Sequence, residues 1–215
     1  MFGSIYFYLS FSGDIEMFEI IEYIGITAFA ISGFLVAVKN KLDLLGILVS
    51  VFLTALGGGL MRDVILQQTP YSFSHTFPAV IILSVFILFI FLKLYNRSNL
   101  ENNFWFMLSD TLGLVAFSIS GASLAIEHNL NLTGVLILAF ISGVGGGVAR
   151  DIIINEVPQI FTSGFYGSVT LIVALILFLL NLAHFINFLS LTILLIFGVI
   201  LRLIAYYNKW QIPKL

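Results

Sequence analysis

The sequence predicts an all-α polytopic membrane protein, and its composition, its hydropathy and an internal repeat all indicate this class. Of its 215 residues, 60% are hydrophobic and 9% are charged, whereas soluble domains carry about 25% charged residues. The mean hydropathy is +1.11. A formal net charge of −2 gives no indication of a nucleic-acid partner, and the absence of cysteine excludes disulfides and thiolate catalysis.

Long apolar stretches predict the membrane spans. A helix needs about 20 apolar residues to cross about 30 Å of hydrocarbon, and seven stretches of the chain meet this requirement. They are residues 19–38, 44–66, 78–95, 105–126, 133–154, 165–182 and 187–206. We therefore expect residues 1–215 to form a single transmembrane domain.

The charges that flank these spans predict the orientation. With seven spans, one side of the membrane carries the basic residues Lys39, Lys41, Lys93, Arg97, Arg202, Lys209 and Lys214. The opposite side carries Asp14, Glu16, Glu19 and Glu127. Because cytoplasmic loops are enriched in Lys and Arg, we expect the N-terminus outside and the C-terminus in the cytoplasm.

A seven-residue motif, Gly-Gly-Gly-x-x-Arg-Asp, occurs at residues 57–63 and again 88 residues later at 145–151. The same offset also matches Gly25 with Gly113, Phe29 with Phe117, Ser32 with Ser120, Gly33 with Gly121 and Pro70 with Pro158. We interpret this as two three-helix repeats, about 19–95 and 105–182, followed by a seventh helix at about 187–206. Because three is odd, the second repeat would be inverted, as is common in transporters.

The glycine triplets lie near the middle of the second and fifth predicted spans. They are Gly57, Gly58, Gly59, Gly145, Gly146 and Gly147. Adjacent glycines weaken a helix, so we expect a kink or break that frees backbone carbonyls for a desolvated cation or provides a gating hinge. Close helix packing is the alternative interpretation.

The charged residues of the motif, Arg62, Asp63, Arg150 and Asp151, are costly inside a membrane unless they are paired or hydrated. Neighbouring side chains on a helix point about 100° apart, so we expect each arginine to find partners other than the adjacent aspartate. The charges would either line or gate a permeation path, or form a buried network that locks the repeats together.

Four hydroxyl residues related by the repeat are candidate pore-lining groups. They are Ser32, Ser120, Thr54 and Ser142. Ser32 and Ser120 lie on faces of small residues, where close packing is the alternative explanation.

The twin motifs, in a chain with three, three and one predicted spans, resemble those of prokaryotic members of the trimeric intracellular cation (TRIC) channel family. The resemblance runs from about Glu22 to Tyr207. It implies a homotrimer in the cell membrane with a pore in each subunit, formed around kinked helices two and five. The pore would conduct monovalent cations, chiefly potassium, with sodium as another permeant ion. Membrane lipid is an expected partner, and no cofactor or metal site is indicated.

Two other functions stay open. Proteins similar to this family are labelled as glycine transporters, and a secondary transporter could use arginine for the carboxylate and aspartate for the amine of a small zwitterion. A structural or lipid-organising membrane protein is the third alternative. The sequence has no nucleophile–base arrangement, so we expect no enzyme.

Overall fold

The computed structural model describes residues 12–96, 103–162 and 164–210, with side chains described in 18–95, 104–162 and 164–210. Arg97 and Lys214, which contributed to the predicted orientation, lie outside the described residues. The side chains of Asp14 and Glu16 also lie outside them.

The described residues form α-helices joined by short turns. The helices are α1 (Ser12–Lys39), α2 (Leu44–Ile65), α3 (Tyr71–Ser74), α4 (Phe77–Phe91), α5 (Asn103–Glu127), α6 (Leu132–Ile153), α7 (Gln159–Thr162), α8 (Tyr166–Leu182) and α9 (Phe188–Tyr207). The pairs α2 and α6, and α3 and α7, begin and end exactly one 88-residue offset apart.

Five helices, namely α1, α2, α5, α6 and α9, are long and apolar enough to cross a membrane, whereas α4 and α8 are apolar but shorter. The predicted third span, 78–95, corresponds to α4, which ends at Phe91 because the chain turns at Lys93 with a positive φ of 52°. The chain is therefore a helical membrane protein, and the count of seven spans stays a prediction.

Capping side chains mark the same boundary in both halves of the chain. Asp43 precedes α2, and its carboxylate accepts a hydrogen bond from the backbone nitrogen of Gly46. Asn131 precedes α6, and its side-chain oxygen accepts the equivalent bond from Gly134. Each cap satisfies a backbone donor that has no partner within the helix, so the start of each motif-bearing helix is fixed locally.

Helices α1, α2, α6 and α5 form a central four-helix bundle, in which each helix packs mainly against two of the others. Phe29 of α1 stacks on Phe117 of α5, with ring centroids 5.4 Å apart. Gly113 leaves the room for this stack, since a Cβ atom there would lie 2.1 Å from the Phe29 ring. Helix α4 packs outside α1, and α8 outside α5 and α6, while α9 packs against α5 and α8.

Candidate functional site

Arg62 is the centre of a fully buried ionic network near the end of α2. Its Nε donates to Oδ1 of Asp63 at 2.8 Å. Its two terminal nitrogens donate to the two carboxylate oxygens of Glu22 on α1, at 2.8 and 3.1 Å. Ser120 of α5 accepts from the same guanidinium and donates to Glu22 at 2.5 Å. Each of the three guanidinium nitrogens thus donates to at least one acceptor.

The second oxygen of Asp63 ties the network to the segment that follows α2. It accepts a hydrogen bond of 2.8 Å from the backbone nitrogen of Tyr71. The Tyr71 hydroxyl lies 2.7 Å from that of Tyr23 and also reaches Glu19. Burial raises the pKa of the Tyr71 phenol, and the hydrogen bond with Tyr23 raises it further, so this phenol stays neutral at physiological pH.

An equivalent network surrounds Arg150 near the end of α6, where the acidic partners lie 88 residues beyond their counterparts and the serine partner lies 88 residues before its counterpart. The Nε atom donates to Asp151 at 2.8 Å, and Nη1 donates to Asp110 at 3.2 Å and to Ser32 at 2.8 Å. Oδ2 of Asp151 accepts from the backbone nitrogen of Gln159 at 3.0 Å. The two arginines also have equivalent aromatic neighbours, 88 residues apart: Arg62 lies over the ring of Phe18, and Arg150 lies over the ring of Phe106.

The second network departs from the first at the carboxylate that comes from the neighbouring helix. Asp110 stands where the first network has Glu22, and its side chain is one methylene shorter. Its Oδ2 accepts a hydrogen bond of 2.8 Å from the phenol of Tyr166 on α8 instead of binding the guanidinium. Nη2 of Arg150 consequently has no hydrogen-bond partner among the described residues.

The expectation that each arginine would avoid its neighbouring aspartate was wrong. Although the two Cα–Cβ bonds diverge, Nε is close enough to the backbone for the arginine side chain to fold back onto the adjacent carboxylate. Both Nε–Oδ1 distances are 2.8 Å. The terminal nitrogens remain available for the carboxylate on the neighbouring helix, so each arginine binds two carboxylates together.

Sequence reasoning missed Glu22 and Asp110, which complete the two networks. Both are acidic residues inside predicted spans, and they are related by the 88-residue offset of the repeat. Comparing acidic positions across the two repeats would have identified them.

The predicted break at the glycine triplets was also wrong, because α2 and α6 run through them as continuous helices, while a kink at the triplets stays a prediction. A backbone hydrogen bond lost in hydrocarbon costs several kcal/mol, which exceeds the roughly 1 kcal/mol that a glycine costs a helix. Instead, the helices cross in backbone contact: a Cβ atom on Gly58 would lie 2.0 Å from the carbonyl oxygen of Ser142, and one on Gly146 would lie 2.2 Å from that of Thr54.

The third glycine of each triplet faces its ionic network. A Cβ atom on Gly59 would lie 3.4 Å from Glu22 and 3.7 Å from Nη2 of Arg62. One on Gly147 would lie 3.4 Å from the Tyr166 hydroxyl and 3.8 Å from Nη2 of Arg150. These are ordinary contact distances, so the third glycine leaves space beside the charges.

The structure separates the four candidate hydroxyls into two groups. Ser32 and Ser120 belong to the ionic networks, and each bonds the arginine of the other half of the chain. Thr54 donates to the backbone of Ser50 in its own helix at 2.6 Å. The Ser142 hydroxyl is buried without a hydrogen-bond partner among the described residues.

Arg202 is one of the basic residues from which the orientation in the membrane is predicted. The structure places it within α9, where it is only 2% exposed. Its guanidinium carbon lies 5.1 Å from the centroid of the Tyr166 ring and 5.9 Å from that of Tyr206. Arg202 therefore belongs to the surroundings of the second network and not to a polar loop.

The sequence of the chain is similar to those of known membrane proteins. A family model described as "Glycine transporter" matches residues 19–93 and 107–181. The chain is 32% identical to the UPF0126 membrane protein YvgT of Bacillus subtilis over 91% of this chain and 95% of that protein.

Two solved structures are similar over almost the whole chain. A TRIC cation channel shares 38% identity with a TM-score of 0.78, covering 92% of this chain and 96% of the other. A prokaryotic TRIC channel crystallised in 0.5 M KCl shares 28% identity with a TM-score of 0.82, covering 91% of this chain and 98% of the other. The chain therefore belongs to the prokaryotic TRIC family.

Proposed function

We propose that the protein is a potassium-permeable cation channel of the cell membrane, a homotrimer in which each subunit carries its own path through the central bundle. The observation that carries the proposal is the pair of ionic networks within this one bundle, one at Arg62 and one at Arg150. Ionisable groups inside a membrane bundle characteristically mark ion pathways. The solved relatives described as cation channels support the same conclusion.

The charge of the motif residues favours cations over anions. In each network one arginine binds two carboxylates, so with its formal charges each group of three carries a net charge of −1. An unpaired guanidinium would repel a permeating cation. Here the hydrogen-bonded carboxylates neutralise both arginines, so this repulsion is removed. A net negative charge at each network would raise the local cation concentration.

We propose that this conformation is closed at the first network. The cavity beside Glu22, Asp63, Tyr71 and Gly59 has a volume of only about 10 Å³, which is enough for about one water molecule. Conduction would require the guanidinium of Arg62 or its partners to move. We propose that bending of α2 and α6 at their glycine crossing accompanies this movement.

The topology completes the proposal. We propose seven spans, with α4 and α8 as the two short ones, arranged as two inverted three-helix repeats with the N-terminus outside. Membrane lipid is the expected partner at the outer surface of the trimer.

Reconstitution into planar bilayers tests the function. Under a potassium chloride gradient, we expect single-channel currents whose reversal potential follows the potassium equilibrium potential. Glu22→Gln should raise the open probability because it removes one of the two carboxylates that hold Arg62, whereas Lys209→Gln, which changes an exposed charge, should not. A trimeric preparation without current at any voltage would contradict the proposal.

A secondary transporter of a small zwitterion such as glycine is the second candidate, because the matching family model carries that description. Liposomes loaded with unlabelled glycine distinguish the two functions. Saturable uptake of labelled glycine by counterflow, without macroscopic current, would favour the transporter.

A further inference from the structure

We infer that Arg202 and Arg150 form a binding site for a small monovalent anion beside Tyr166. The inference concerns a ligand of the second network and does not depend on the channel function. The anion would be either a free inorganic ion such as chloride or the carboxylate of a small solute, since a guanidinium recognises both through the same charge-assisted hydrogen bonds.

The first step is the unused hydrogen-bonding capacity of Arg202. Its Nε and Nη1 are buried without a hydrogen-bond partner among the described residues, although the side chain is only 2% exposed. The rings of Tyr166 and Tyr206 offer cation–π contact to its face, but rings do not accept the in-plane N–H groups. A buried guanidinium in this position calls for an acceptor.

The second step is that the nearby carboxylates are already engaged. Oδ1 of Asp110 accepts from Ser32 and Arg150, and its Oδ2 accepts from Tyr166. Oδ1 of Asp151 accepts from Arg150, and its Oδ2 accepts from the backbone of Gln159. Every oxygen of the two aspartates therefore already accepts a hydrogen bond, and among the described residues none accepts one from Nε or Nη1 of Arg202.

The third step is a second unused donor at the same tyrosine. Nη2 of Arg150 is buried without a partner among the described residues. A Cβ atom on Gly147 would lie 3.8 Å from this nitrogen and 3.4 Å from the Tyr166 hydroxyl, so both groups face the side of Gly147 that carries no side chain. Tyr166 thus has one arginine with unused donors against its ring and another near its hydroxyl.

Charge balance indicates the valence of the ligand. With formal charges, Arg62, Glu22 and Asp63 sum to −1. Arg150, Asp110 and Asp151 also sum to −1, and Arg202 adds one positive charge beside them that no carboxylate of the described residues pairs with. One bound monovalent anion would offset the charge of Arg202.

The purified full-length protein in detergent provides the test. Its thermal unfolding is followed at fixed potassium concentration and ionic strength while bulky isethionate is replaced by chloride, bromide or acetate, or while glycine, which carries a carboxylate but no net charge, is added to the isethionate buffer. We expect a saturable rise in Tm of a few degrees with at least one small anion, because a ligand that binds only the folded state stabilises it. Arg202→Gln should abolish the rise, and Lys209→Gln, which removes an exposed charge from the same end of the chain, should retain it.

The responses to the different anions identify the source of the ligand. A response to chloride and bromide indicates an inorganic ion, and a response to acetate or glycine alone indicates a solute carboxylate. Because Arg202→Gln could fail to fold, anomalous diffraction from crystals grown in bromide gives a second measurement, with a peak expected within hydrogen-bonding distance of Arg202. Equal Tm values in all anions, together with no peak at Arg202, would overturn the inference.

Discussion

At the scale of the residue, the central feature is that each arginine of the twin motifs binds two carboxylates and one serine. Arg62 illustrates why the arrangement is stable: its planar guanidinium meets both oxygens of Glu22 while Nε holds Asp63. A lysine has no such fork and could not satisfy both acids with the same geometry. The network is thus specific to arginine and sensitive to the loss of any one partner.

We predict that Glu22→Gln lowers the free energy of unfolding by about 3–5 kcal/mol, because it leaves a buried guanidinium with one carboxylate where it had two. Thermal unfolding in detergent measures the effect. Glu156→Gln is the matched control, since Glu156 is exposed and its loss should change the free energy by less than about 0.5 kcal/mol. Equal effects of the two substitutions would show that the Glu22 pair contributes nothing to stability.

The sequence predicted the residues of the motif but not their partners. Repetition of Arg62 and Asp63 at Arg150 and Asp151 indicated a shared site, because charges inside apolar spans require a specific reason. The pairing within each Arg-Asp dipeptide depends on side-chain rotamers, which helical periodicity does not specify. The roles of Tyr166 and Arg202 depend on how α8 and α9 pack, and neither residue has an equivalent in the other repeat to mark it.

At the scale of the element, the glycine triplets determine how closely α2 and α6 approach each other. The first two glycines of each triplet face the opposite backbone, and the third faces the charges. Uninterrupted hydrogen bonding through the triplet is the expected result in a solvent that offers no replacement partners. Sequence reasoning named packing and interruption as alternatives, and the choice depended on the interhelical distance, which only the fold reveals.

Alanine should therefore affect stability in opposite ways at the second and the third glycine of a triplet. Gly58→Ala and Gly146→Ala would place a Cβ atom 2.0 and 2.2 Å from a carbonyl oxygen of the opposite helix, and we expect a loss of about 3 kcal/mol or more. Gly147→Ala, where the nearest atom would lie 3.4 Å away, should be tolerated or stabilising by up to about 1 kcal/mol.

Thermal unfolding and size-exclusion profiles of the purified variants check this order. Comparable stability of the Gly58→Ala and Gly147→Ala proteins would contradict the backbone crossing of α2 and α6.

At the scale of the whole molecule, the long helices, the composition and the offset of 88 residues were sufficient to predict a helical membrane protein. The bounds of α2 and α6 fall within one residue of the predicted spans 44–66 and 133–154. The third span was harder to delimit because Leu92 to Tyr95 continue the apolar pattern past the turn at Lys93, and hydropathy does not register a backbone turn.

Because the chain contains no cysteine, single-cysteine variants can test the orientation without altering a native thiol. In intact cells, we expect an impermeant maleimide to label cysteine at His128 or His184 and to leave cysteine at Asn40 or Lys209 unlabelled until the membrane is permeabilised. The physical reason is the excess of basic residues on the side of the membrane that carries Asn40 and Lys209, because cytoplasmic loops are enriched in Lys and Arg. The reverse pattern would invert the proposed topology.

The exchange of serines between the halves has a consequence for the origin of the fold. Ser32 completes the coordination of Arg150, and Ser120 completes that of Arg62, so neither half contains all the bonds of its own arginine. An ancestral protein of a single copy of the repeat could have formed the same bonds only by pairing with a second, identical molecule. In the inverted arrangement proposed above, gene fusion would have joined two oppositely inserted copies whose surfaces were already complementary.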